Sequence, residues 1–270
     1  MMAVSLLLPA VSRAQGQGAN APSSNTLTET NGIEGAHELN EKNLRANLGD
    51  PKEEQAYQSF HNAQDANKKI ELGQAFMNKY PSSRHIEGAY DELAQAYYSK
   101  LDLPGFYANS DKGIAKFPDD VVLLTLTGWV IPRVYRHDDP DGDQKLAKAE
   151  NYEKHALDVM NALTKPVGVS DEQFDLYKTQ ELEIAHSGLG LIYFRQEQYD
   201  NSLKELQQAV EGAKSPDPSD LFVLGADLQN LNRFKEAADA FNRCAQIAGT
   251  LQDNCKQYAD RATKLAGQAK

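Results

Sequence analysis

Two stretches in the last third of the chain repeat one another 35 residues apart, counted from Leu189 to Leu224. Leu189-Gly190-x-x-Tyr193 is followed by Ser202-x-x-x-Leu206 and Ala209. Leu224-Gly225-x-x-Leu228 is followed by Ala237-x-x-x-Phe241 and Ala245. A repeat with a period in the thirties constrains the fold strongly. Each copy is one supersecondary unit that cannot bury its apolar face alone and must stack on a neighbour. The rest of the chain alternates short helical patterns with brief polar breaks. No Asn-Gly or Asp-Gly pair sits between two strand-like runs, and the one strand-like stretch, residues 119–125, continues into a helical pattern. The expected fold is therefore all-α.

The pattern resembles the tetratricopeptide (TPR) repeat, W-x-x-L-G-x-x-Y…A-x-x-x-F…P. Its small residues lie where helices A and B of one repeat approach closely. Weaker copies lie upstream. Tyr90-x-x-Leu93-Ala94-x-x-Tyr97 keeps the frame and ends at Pro118, and Leu124-x-x-Thr127-Gly128-x-x-Ile131 keeps it again. Residues 53–81 give a degenerate first copy with Phe60 in the Tyr slot, and residues 251–268 read as a capping helix. The resemblance implies a TPR-like α-solenoid of antiparallel helix pairs, about five repeats plus a capping helix. Two irregularities stand out. The third copy carries an insertion between its helices, and the capping box Ser170-Asp171-Glu172-Gln173 opens a long fourth A-helix running to about Arg195.

The stretch from Phe76 to Tyr98 is similar to the periplasmic TPR components of outer-membrane assembly and cell-division machinery, an exported bacterial type. The N-terminus agrees with export. An apolar run from Ala3 to Val11 precedes Ser12-Arg13-Ala14, which has small residues where a signal-peptide cleavage site needs them. Residues 1–14 are expected to be a signal peptide. Residues 15–49 are rich in Gly, Asn, Ser, Thr and Gln, with too little apolar payload to offset their ordering entropy, and are expected to be a disordered tether. The helical domain then occupies 50–268, opened by Asp50 as N-cap and Pro51 at the first helical position. A periplasmic or secreted location follows. There an even count of two cysteines permits one bond, and the repeat frame places Cys244 and Cys255 on neighbouring antiparallel helices.

Charge narrows the partners. With 39 Asp+Glu against 28 Lys+Arg the net charge is -11, which repels nucleic acid and anionic lipid. No apolar run reaches the roughly 18–20 residues that span a bilayer. The TPR resemblance implies a protein or peptide partner, held by the A-helices in a concave groove. By repeat position that groove would use Tyr98, Trp129, Arg133, Leu191, Phe194, Arg195, Phe222 and Gln229, with Asp91, Gln95, Thr125 and Asn230 alongside. Aromatics and Arg are the usual anchors of such surfaces. The alternative for these residues, Trp129 above all, is packing between repeats. The Lys/Asn clamp of chaperone-tail receptors is missing. Its positions read Thr125/Trp129, Ser187/Leu191 and Phe222/Ala226.

Catalytic patterns are weak. The six histidines form no H-x-x-x-H pair, His186-Ser187 is not a nucleophile elbow, and no Gly-rich phosphate loop appears, so neither an enzyme nor a cofactor is expected. One segment has metal chemistry to weigh. Asp139, Asp141, Asp143 and Glu150 fall at positions 1, 3, 5 and 12 of a twelve-residue loop, the EF-hand calcium spacing. Gln144 occupies the position that needs Gly. A bland account also suffices, with Asp143 capping the next helix and its acidic neighbours near the positive helix end. A calcium-dependent structural module is thus the second reading, after a non-catalytic protein-binding scaffold.

Overall fold

A computed structural model describes residues 50–268; the signal peptide and tether expected at 1–14 and 15–49 lie outside the described residues. The first helix starts as its sequence predicts. The Asp50 carboxylate accepts the Lys52 N–H at 2.9 Å and Pro51 takes the first helical position. The helices are α1 (Pro51–His61), α2 (Ala66–Lys79), α3 (Ile86–Ser99), α4 (Leu103–Lys116), α5 (Val121–Val134), α6 (Gly142–Ala162), α7 (Asp171–Arg195), α8 (Tyr199–Gly212), α9 (Pro218–Asn230), α10 (Phe234–Ala245) and α11 (Gln252–Gln268). No strand occurs among the described residues. Five A/B pairs, α1/α2 to α9/α10, precede one capping helix, in the frame the repeat predicts.

The described chain divides into two compact units, residues 50–188 and 189–268. In the first, Phe60, Phe76, Leu93, Phe106, Leu123 and Met160 are fully buried; in the second, Ile192, Leu206, Leu221 and Phe241 are. The small repeat residues behave as the frame requires. A Cβ on Gly225 would lie 2.7 Å from the Phe241 ring, and one on Gly190 2.5 Å from Leu206 Cγ. The A-helix backbone meets its B-helix partner there with no room for a methyl group.

A shared turn joins A to B in three repeats. Leu101, Glu197 and Asn232 have φ of 56°, 60° and 61° and stand seven residues after Ala94, Gly190 and Gly225. Each donates its N–H three residues back, to Tyr98, Phe194 and Gln229, and the next residue donates five back, to Tyr97, Tyr193 and Leu228. This paired pattern is the Schellman C-cap, usually built with Gly in the left-handed position. The third repeat departs from it. Tyr135, the residue in frame, is extended at φ -58°, ψ 137°, and residues 135–141 lead into α6.

Ser170 and Gln173 form the expected reciprocal box: Gln173 N–H donates to Ser170 Oγ at 3.1 Å, and Ser170 N–H to Gln173 Oε1 at 3.3 Å. One cap is corrected. The cap residue of α6 is Asp141, without a side-chain bond, and Asp143 already lies in the first turn. At the C-terminal end Cys244 and Cys255 are disulfide-bonded across α10 and α11, with Cα atoms 5.7 Å apart.

Candidate functional site

The A-helix face was expected to hold the partner, and its large side chains are buried. In the unit 50–188, Trp129 is 4% exposed and meets Tyr98 edge-on at 5.9 Å. The Arg133 guanidinium lies 3.7 Å from the Trp129 ring centroid and donates to Trp129 O at 3.1 Å and Ser187 Oγ at 2.8 Å. In the unit 189–268, Phe222 is 2% exposed between Phe241 and Tyr258, at 5.4 and 5.1 Å. Leu191, Phe194 and Gln229 are buried as well. These rings pack between helices, the alternative the sequence left open, and have little surface left for a partner. Of the positions assigned to this face, Gln95 and Arg133 stay half-exposed in the first unit, and Arg195 and Asn230 in the second.

Beneath Arg133 lies a cluster that the sequence reading missed. Glu153 of α6 is 0% exposed, and neither carboxyl oxygen has a hydrogen-bond partner. It fits only because its neighbours are Gly128 of α5 and Gly188 of α7, where any Cβ would collide with it. Glu181 of α7 is buried beside it; its Oε2 accepts from Thr125 Oγ1 at 2.8 Å and its Oε1 has no partner. Burial pushes the Glu153 carboxyl well above the usual carboxylate range, Arg133 draws it back, and Glu181 raises it further. Burial pushes Glu181 up to about 7, against the Thr125 bond. The second unit has a smaller counterpart. Ser202 Oγ lies 2.6 Å from Asp227 Oδ2 and 2.8 Å from Gly190 O, able to donate its one proton to the carbonyl while accepting from a protonated Asp227, and burial pushes Asp227 up to about 8. A neutral, enclosed carboxyl can hold a proton. It has no open face on which to meet a substrate.

The signal for Glu153 was present in the sequence. Ala149, Glu153, Ala156 and Met160 follow the helical period and are all buried, so an acid stands on an apolar stripe.

Residues 139–150 do not form one loop in the structure. Because α6 begins at Gly142, loop positions 4 to 12 are helical and cannot wrap an ion. Asp143 and Glu150 are two turns apart, about 10 Å along the axis. Lys145 Nζ donates to Asp139 Oδ2 at 2.7 Å and holds that carboxyl below its usual range. Tyr135 OH donates to Asp143 at 3.3 Å, and Lys154 Nζ to Glu150 at 2.7 Å. Asp141 is exposed at the helix cap. Among the described residues no three His, Cys, Asp or Glu side chains converge on a metal-sized site.

No family model matches the sequence, and no curated protein is similar to it at a significant level. Solved structures do match. One is a thermophilic TPR protein of Thermus thermophilus, 15% identical, covering 87% of this chain and 98% of its own, at a TM-score of 0.50. That likeness shows the fold: an all-α, TPR-like α-solenoid of helix pairs.

Proposed function

We propose that this chain is a non-catalytic scaffold that binds a protein partner, a peptide or a helix, on the A-helix face of its repeats, and that it works in the cell envelope. The observation that carries the reading is the TPR-like stack itself, five helix pairs and a cap matching a TPR protein over most of both chains. Within each unit, stacked pairs present their A-helices on one face, which suits a peptide or a helix. The contact residues in this reading are Gln95, Arg133, Arg195 and Asn230. Aromatic anchors give way to polar and cationic side chains, because the rings are committed to packing.

The compartment rests on the expected signal peptide at 1–14, the expected tether at 15–49 and the Cys244–Cys255 bond, which persists in oxidising surroundings and is rare in a reducing cytosol. The test uses tagged full-length chain. Fractionation should place it in the envelope with a mature N-terminus at Gln15. A partner should co-purify with the wild type and be lost from a Gln95→Lys/Asn230→Lys variant that melts like the wild type. An unchanged partner list would remove the assigned face.

A further inference from the structure

We infer that the cleft between α2 and α4 is a second docking surface, for an acidic peptide segment that carries an apolar anchor. Both helices flank α3, and between them lies an open cleft of about 560 Å³. Its lining is mixed, with polar and apolar side chains about equally exposed. Leu93 and Tyr97 lie at the base, and the half-buried Met77 and Tyr90 form its sides. The floor is held open by built contacts. Gln74 Nε2 donates to Tyr97 OH at 2.5 Å, Asn109 Nδ2 donates to Tyr90 O at 2.7 Å, and a Cβ on Gly105 would collide with the Tyr97 ring at 2.5 Å. The Tyr97 ring is thus fixed in place before anything binds, which lowers the ordering cost of an occupant.

The rim decides the chemistry of that occupant. It carries Lys112 and Lys116 and no carboxylate, in a chain whose net charge is -11. Lys116 reaches across to Pro81 O at 3.0 Å, while Lys112 is exposed, with an exposed Asn78 amide also on the rim. Cationic side chains beside the half-buried Met77 and Tyr90, on an otherwise acidic protein, complement a segment with one apolar side chain flanked by Asp or Glu. An extended polyanion such as a lipid surface or nucleic acid would also meet the surrounding acidic surface, so a short peptide is favoured. The inference goes beyond the A-helix face, since Gln95 does not line this cleft.

The test selects a displayed library of random dodecapeptides on the full-length protein. Enriched peptides should pair an aromatic or Leu with Asp or Glu. Their affinity should fall about tenfold or more in Lys112→Glu/Lys116→Glu, and measurably in Lys112→Glu alone, which spares the Pro81 contact. It should not change in Gln95→Lys/Asn230→Lys, which separates this surface from the A-helix face. No enrichment, enrichment of basic or neutral peptides, or unchanged affinity in the charge-reversed variants would overturn the inference. So would phosphatidylglycerol vesicles that bind the wild type and lose binding in the same variants while peptides do not.

Discussion

Glu153 stands where the period of α6 calls for an apolar residue, and two glycines on neighbouring helices leave just the space its carboxyl fills. Burial without a partner makes the charged form the costly one, so the folded chain keeps the proton. The sign of the pH dependence follows. Its folded value lies above the ordinary one, so stability is full below about pH 4.5 and falls as pH rises toward the folded value, because the unfolded chain releases the proton first. Asp227 behaves alike between its ordinary value and about 8. Glu153→Gln and Asp227→Asn should match the wild type within roughly 0.5 kcal/mol at pH 4 and exceed it by roughly 1–3 kcal/mol at pH 8. Urea titrations at the two pH values check this, and an equal effect at both would contradict it. Glu197 and Asn232 offer a second test at this scale. Each sits in the left-handed region, which costs Glu about 1 kcal/mol and Asn less, so Glu197→Gly should stabilise by roughly 0.5–1 kcal/mol and Asn232→Gly by less, read as a raised urea midpoint.

At the scale of the element, the repeat frame explains both what was legible and what was not. Helix starts at Asp50 and Ser170 carry complete caps in their own residues, so local sequence sufficed. Two of the Schellman turns were invisible because their left-handed residues are Leu and Glu, not the Gly or Asn that marks such a turn. The loop at 139–150 shows a related limit. Ligand spacing is a linear property, whereas Gly142 starts a helix that carries Asp143 and Glu150 apart. The aromatic groove residues misled because repeat position assigns a face and not the exposure, which depends on how large the neighbouring side chains are. Gly225→Ala should cost roughly 1–3 kcal/mol by forcing the buried Phe241 ring aside, measured as a lowered Tm. Cys244→Ala/Cys255→Ala should cost roughly 2–3 kcal/mol, because the bond closes a short loop and both sites are buried. Unchanged melting of the cysteine variant would mean that α10 and α11 need no staple.

Across the whole molecule the helix pairs carry a net acidic charge, and the large aromatic side chains of the A-helices serve the core. Among the described residues no helix is long and apolar enough to cross a membrane. The central claim is that the A-helix face holds a specific protein partner. The most direct measurement is site-specific photocrosslinking in living cells, with a photoreactive residue placed at Gln95, at Asn230 and, as control, at the exposed Lys204 of α8. A discrete adduct from Gln95 or Asn230 with none from Lys204 is the predicted result. No adduct from either A-helix position, or the same adducts from all three, would contradict the account.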